Sequence, residues 1–409
     1  MQPSPASITA AGWQTCLGSN VDHVWDALVR GRSGISGYVD AVAPTSPVHV
    51  AGTIPFDPTA YLTEQEIRRT SRHQQLLWAA VADAVRNVEW RDPARVGVVV
   101  GTGGAGLADI ADAYTRVERG CWGAADRTLL LRTLGNMAAG FVAQKLRVTG
   151  PCLTIGTACA ASTDAIGIGL GLIRGGVIDV AIVGGVESWV SWVGLGAFSK
   201  LRVLSRRPAE EAAAASRPFD ATRDGLVPAD GAAAIVLEAP AHAAARGVRP
   251  IAELCGYGST CDAHSPVAPA PDGEAAACAV RNALRDAGIV ASDIDHVNAH
   301  GTGTTVNDAV ETRVLKQVLG DHVWDVPISA TKSMLGHAFG ACGAIEATVT
   351  ALSLQHQVIP PTVNLEHADP ACDLDYTPKR SRRMSMEHAV TTSFGLAGQN
   401  AALVLRATS

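Results

Sequence analysis

Short runs of apolar, often β-branched residues alternate with Ala-rich stretches along the whole chain, the spacing of buried strands and the helices that cover them. Strands are predicted over 7–10, 96–101, 152–156, 179–184, 233–237, 250–256, 294–299, 326–330, 389–394 and 401–406. Helices are predicted over 21–31, 63–88, 136–147, 160–175, 272–287, 307–319 and 339–354, with Gly31 and Gly288 placed as C-caps. This rhythm is that of an α/β fold.

A weak internal echo adds to it. DGAAAIVLEAP at 230–240 resembles GQNAALVLRAT at 398–408, so each segment would close one half of a duplicated α/β domain. PAHAAARGVRP then reads as the connector, with halves at 1–245 and 246–409. Segment 202–230 is polar, carries both charge signs, Pro and Gly, and reads as a long functional or mobile loop bordering a substrate entrance.

Composition narrows the function. The 409 residues are 47% hydrophobic and 18% charged, which fits a soluble, core-rich enzyme and excludes intrinsic disorder. With 33 basic and 39 acidic residues the net charge is −6, so the chain lacks the basic field that nucleic-acid binding needs. Five of the 33 basic residues are Lys, leaving 28 Arg, read as coding bias. The nine cysteines (16, 121, 152, 159, 255, 261, 278, 342 and 372) are odd in number and never spaced as CxxC, which argues against a disulfide frame or zinc site and for a reducing, cytoplasmic setting. The N-terminus shows no export signal, and the most apolar stretch, near 165–190, is interrupted by Arg174 and Asp179, so no membrane partner is expected.

Four segments carry candidate chemistry. In GPCLTIGTACAAST a strand-like run ends in small residues and a helix follows, placing Cys159 where a helix N-terminus lowers a thiol pKa and its N–H groups can hold an oxyanion. In NAHGTGTTVNDAVET, His300 ends a strand and precedes an open Gly/Thr backbone. KSMLGHAFGACGAIEA sets Lys332 and His337 before a helix carrying Glu346, and SFGLAGQN is a Gly-rich turn between strands.

Together, TACAAS, RPFDATRDG, APxPDG (268–273), HGTGT, KSMLGH and SFGxxGxN resemble, in order and spacing from Ile8 to Leu405, the β-ketoacyl synthases of the thiolase-like superfamily. The resemblance implies a five-layered α-β-α-β-α fold of two duplicated halves, usually dimeric, and a discrete type II synthase of polyketide, polyene or fatty acid assembly. It implies that Cys159 takes the acyl chain from a carrier-protein phosphopantetheine. His300 and His337 would then promote decarboxylation of the malonyl unit, with the N–H groups of Cys159 and Leu396 as oxyanion hole. By the same resemblance Lys332 pairs with Glu346 to orient the histidines, Thr302 and Thr304 bind the pantetheine arm or malonyl group, and Asp308 and Glu311 play supporting roles. Phe198 and Leu396 match gate positions, and Arg68, Arg69 and Arg202 match positions that dock an acyl carrier protein.

Departures accompany it. The usual GFGG loop reads Gly395-Leu396-Ala397-Gly398, implying a smaller, more flexible gate and either an altered acyl preference or a looser ordering of loading and condensation, and Ala160-Ala161-Ser162-Thr163 departs from the common Ser/Gly pattern while staying small. Pro228-Ala229-Asp230 departs from the usual x-Gly-Glu or x-Gly-Asp, putting the local loop geometry in question. No carrier or acyltransferase segment is left over, so a stand-alone synthase is expected, without metal, flavin or nicotinamide and with phosphopantetheine arriving on the carrier. The partner would be a second copy or a chain-length-factor-like homologue. Two other readings remain open: a thiolase or non-elongating acyltransferase, with Cys342 in an ACG context, and a cavity-shaping subunit of the chain-length-factor kind, which typically loses the nucleophilic Cys.

Overall fold

The computed structural model describes residues 4–40, 42–104, 106–118 and 127–408; Cys121 lies outside them. In chain order the elements that place the site are strand β1 (Ala6–Gln14), helix α1 (Arg72–Ala84), β2 (Val96–Gly101), β3 (Cys152–Ile155), α2 (Ala161–Arg174), β4 (Val180–Glu187) and β5 (Gly231–Glu238). There follow β6 (Ala252–Cys261), α3 (Glu274–Ala287), β7 (His296–Asn298), α4 (Thr305–Leu319), β8 (Ile328–Ser329), α5 (Cys342–His356), β9 (His388–Gly395) and β10 (Gln399–Arg406).

The ten strands run in the order β3-β2-β4-β5-β1-β6-β10-β9-β7-β8. From β1 outward the pairings are antiparallel, antiparallel, parallel, parallel. From β6 outward the same four recur. The two runs meet where Ala6–Ile8 pairs with Ala252–Leu254. Helices α2 and α5 lie between the two halves of this sheet, α1 covers the outer face of one half and α3 the other, which gives five layers, α-β-α-β-α.

The central layer explains the composition. All thirteen residues from Cys342 to Leu354 are buried, so α5 has no solvent face for a polar stripe. Its hydroxyls are satisfied within the helix: Thr348 donates to the Ala344 carbonyl (2.8 Å), Thr350 to that of Glu346 (2.7 Å) and Ser353 to that of Val349 (2.9 Å). In α2, Gly167 and Gly169 let the helix backbone approach Tyr257 and Val183, where a Cβ would collide. Each Leu, Ile or Val buried in such a layer contributes roughly 1.5–3 kcal/mol.

The predicted helix over 63–88 is two helices, Glu64–Arg69 and Arg72–Ala84, broken where Thr70 and Ser71 turn extended. The break is local chemistry: the Ser71 N–H donates to the Gln74 side chain (2.8 Å), one arm of a capping box that starts a new helix. The predicted helix over 339–354 starts at Cys342, after a 3-10 turn, Phe339–Ala341. Helices Leu107–Glu118 and Trp192–Lys200 and the extension of β6 to Cys261 were not anticipated. Gly31 and Gly288 do follow their helices with φ of 69° and 71°.

Segment 202–230 borders a cavity, which Arg202, Val203, Asp224, Gly225 and Leu226 line, but it is not the mobile loop that was the other expectation. From Ala215 to Asp220 and from Gly225 to Asp230 it is buried, and it is bolted to the second half of the chain. Phe219 stacks on Tyr376 with ring centroids 3.8 Å apart, Ser216 donates to the Lys332 carbonyl (2.7 Å), and the backbone around Pro228 pairs with His337. Among the described residues no helix is long and apolar enough to cross a membrane.

Candidate active site

A cavity of about 230 Å³ opens between the two halves and is lined by Cys159, His300, His337, Thr302, Thr304, Phe198, Leu396 and Arg202. Lys332, Glu346, Asp308, Glu311, Arg68 and Arg69 do not line it.

Cys159 sits in the 3-10 turn Ala158–Ala160 at the head of α2. Ala158 holds φ at 50°, a left-handed backbone that L-residues with a side chain rarely adopt, so the turn is sharp and aims Cys159 off the end of β3. Gly395 packs its backbone on this turn, where a Cβ would come within 3.1 Å of the Cys159 nitrogen. The expectation of a lowered thiol pKa is not met. Burial pushes the Cys159 thiol up to about 11, against the opposing charge of Lys332 and the Leu396 N–H that faces the sulfur. Desolvation outweighs these because Cys159 is only 7% exposed.

His300 and His337 are both buried, their ring centroids 5.4 Å apart and the planes at 89°. Burial first, and the nearby Lys332 charge second, hold both well below the ordinary imidazole range, so both are neutral at pH 7. The Phe339 N–H donates to His337 Nδ1 (2.9 Å), leaving the ring proton on Nε2. For His300 the Lys332 ammonium stands 3.4 Å from Nδ1, and an ammonium can only donate, so the same tautomer follows. Two Nε2–H groups can therefore donate to an oxygen that turns negative within the cavity.

The support of these rings is explicit. Lys332 Nζ donates to the His300 carbonyl (2.6 Å) and pairs with Glu346; burial disfavours its charge, but Glu346 overcomes this and raises its pKa. Glu311 accepts from the N–H groups of His300 (2.7 Å) and Gly301 (2.8 Å) and from the Thr392 hydroxyl (2.9 Å). Asp308 accepts from the Phe219 N–H (2.8 Å) and the Gly303 N–H (3.2 Å), clamping segment 202–230 to the HGTGT turn. Thr302 and Thr304 hydroxyls lie 2.9 Å apart at the cavity wall.

Other placements follow. Arg202 is exposed at the rim, with φ at 58°, while Arg68 and Arg69 are exposed on Glu64–Arg69, Arg68 pairing with Glu64 (3.2 Å). Pro228-Ala229-Asp230 forms an ordered strap: the His337 N–H donates to the Val227 carbonyl (2.7 Å), and Asp230 pairs with Arg72 (3.2 Å). Cys342 is buried away from the cavity, its Sγ 3.3 Å from His337 Nδ1.

Three residues were missed. Phe394 stands edge-on to His300 at 5.8 Å, and Phe339 stacks on His337 at 4.9 Å. Glu187 is buried beside the nucleophile turn, accepts from the Thr102 hydroxyl (2.9 Å) and the Gly103 N–H, and is pushed up to about 7 by burial. A lone carboxylate closing the apolar run VAIVGGV was its signal in the sequence.

Fold and site together define an acyl-transferring, condensing enzyme of the thiolase-like class. Residues 4–243 match the beta-ketoacyl synthase N-terminal domain and residues 251–366 the C-terminal domain. The chain is 36% identical over 404 residues to 3-oxoacyl-[acyl-carrier-protein] synthase 2 of Synechocystis sp., covering 98% of this chain and 97% of that one. It superposes with a TM-score of 0.92 and 31% identity, over 100% of both chains, on a complex of a type II polyketide synthase acyl-carrier protein with its ketosynthase bound to the hexaketide. On the ishigamide ketosynthase/chain length factor the TM-score is 0.91 at 32% identity, again over 100% of both chains. The chain belongs to the beta-ketoacyl synthase family.

Proposed function

We propose that this protein is a β-ketoacyl-[acyl-carrier-protein] synthase. Cys159 exchanges its thiol for an acyl thioester brought on a carrier's phosphopantetheine. Malonyl-carrier then loses CO₂, and the resulting carbanion attacks the Cys159 thioester, releasing the thiolate and leaving a β-ketoacyl-carrier. The observation that carries this reading is the pair of buried neutral imidazoles, each with Nε2–H free to hold the enolate oxygen, in one cavity with the cysteine.

In this reading the N–H groups of Cys159 and Leu396 hold the tetrahedral oxyanion. Lys332 and Glu346 fix the His300 ring, Thr302 and Thr304 receive the pantetheine or malonyl group, and Phe198 and Leu396 gate the cavity. Arg202 at the rim, with Arg68 and Arg69, meets the acidic surface of the carrier and speeds a salt-sensitive encounter. The chain works as two halves, 1–245 and 246–409, in the cytosol, with no resident metal or cofactor. A second chain, identical or of the chain-length-factor kind, docks on the open edge strand β3. Leu153 there is 41% exposed, and Tyr114, Leu130, Leu131 and Leu134, earlier in the chain, are exposed as well. Type II polyketide assembly is favoured by the two structural neighbours, and fatty acid assembly by the Synechocystis relative.

Intact-mass analysis of the protein with a short acyl-carrier and malonyl-carrier tests the reading. Acyl transfer to the enzyme followed by a β-ketoacyl-carrier product supports it. Acylation without condensation points to an acyltransferase or a missing partner, and no acylation across a starter panel overturns it.

A further inference from the structure

The cavity ends on aromatic rings. Phe198 and Phe339 line it and stack at 4.5 Å, and Phe339 continues the stack onto His337. Behind both stands Trp189, edge-on to Phe198 at 5.1 Å and tilted against Phe339 at 6.0 Å.

Two glycines seat this indole. A Cβ built on Gly104 would overlap the benzo ring of Trp189, and one on Gly194 would stand 3.0 Å from its Cε3. Neither position can carry a side chain while Trp189 is present, so the indole is held like a slab in a slot. Gly104 adjoins Gly103, whose own Cβ would lie 3.8 Å from the Ala158 Cα, so the slab borders the nucleophile turn. The Phe339 ring is packed against Trp189, Phe198 and His337, so swinging it away would break three aromatic contacts.

We infer that Trp189, wedged between Gly104 and Gly194 and backing Phe198 and Phe339, is the end wall of the acyl cavity and restricts this enzyme to short acyl groups. The inference rests on the acyl-transfer reading of Cys159 for its biological meaning, but the wall itself is a matter of space. Lengthening an acyl group on Cys159 drives its tail into the rings, and admitting it requires displacing packed aromatic surface.

The test separates the two ideas. Wild type, Trp189→Ala and Trp189→Phe are each treated with iodoacetamides bearing N-alkyl chains of two, eight and twelve carbons, and modification at Cys159 is timed by peptide mass spectrometry. A parallel series uses acyl-carriers of the same lengths. In wild type the short reagent should outpace the longest by at least about tenfold; Trp189→Ala should remove most of that gap, and Trp189→Phe should fall between. Equal rates for all lengths in wild type, or an unchanged length profile in both variants, overturns the inference. Should Trp189→Ala fail to fold, the Trp189→Phe profile decides. If the alkyl series behaves as stated while no carrier thioester loads, the wall stands and the synthase reading falls.

Discussion

Ala158–Ala160 in the first half and Phe339–Ala341 in the second are the same 3-10 turn at the head of a buried central helix, each entered through a residue of positive φ, 50° at Ala158 and 44° at Phe339. Cys159 occupies the middle of the first turn and Gly340 the middle of the second. A Cβ at Gly340 would reach the Glu187 carboxylate at 2.7 Å and the Gly103 nitrogen at 2.8 Å, so the second turn is stripped bare to let the first half pack on it. The edges differ as well: Cys152 and Leu153 of β3 are exposed, whereas β8 is buried and its Ile328 N–H donates to the Asp375 carbonyl (2.8 Å). Duplication supplied two helix heads and two edges. One half carries Cys159 at its helix head and an open edge, and the other has a bare head and a covered edge and brings His300 and His337 to the same cavity.

The sharpest way to break this comparison is Cys159→Ala, which should abolish acylation, read as loss of the acyl mass increment, while Cys342→Ala should leave acylation intact. Next, His300→Ala and His337→Ala should each slow condensation by about 10²–10⁴-fold while Cys159 still acylates. Equal loss of loading and condensation would end the division of labour between halves. Third, Lys332→Met should lower stability by about 3–5 kcal/mol in denaturant titration, because Glu346 is left buried and unpaired, and Lys332→Met with Glu346→Leu should recover most of it.

The pH response sharpens the same contrast. With the Cys159 thiol held at about 11, its thiolate fraction, and so its alkylation rate, should rise about tenfold per unit from pH 7 to 9. The histidines titrate well below 6.5, so they stay neutral across that window and put no inflection in the condensation step there. A flat alkylation profile would show that the thiol is activated despite burial. Smallest, Leu396→Phe should change the ratio of rates for short and long acyl-carriers by a few-fold, since it enlarges one side chain of the cavity lining; an unaltered ratio would remove Leu396 as a gate.

Much of this was legible along the chain, for physical reasons. Strand periodicity and the Gly31 and Gly288 caps are local, so β2 and the close of α3 could be read directly. Cys159, His300, Lys332 and His337 sit in short segments whose small residues announce a crowded, open backbone. The break at Ser71 was written as a capping box and overlooked, because the apolar pattern runs on through it. Segment 202–230 was placed correctly at the cavity, but its order was not legible because its polarity is spent internally: Asp220 accepts from the N–H groups of Glu366 and His367 (2.7 Å each), and Arg223 pairs with Asp369 (2.5 Å). Partners nearly 150 residues away leave no trace in a local window.

The sequence by itself determined the alternation of elements, the duplicated closing strands and the cysteine- and histidine-bearing turns, because each depends on residues within a few positions of one another. Tertiary structure alone decided that the thiol is raised rather than lowered, that both imidazoles are neutral with the proton on Nε2, and that Trp189 stands behind Phe198 and Phe339. Those outcomes are set by desolvation and by contacts between halves. Burial and through-space charge are properties of the packed molecule, and no stretch of chain carries them until its partners arrive.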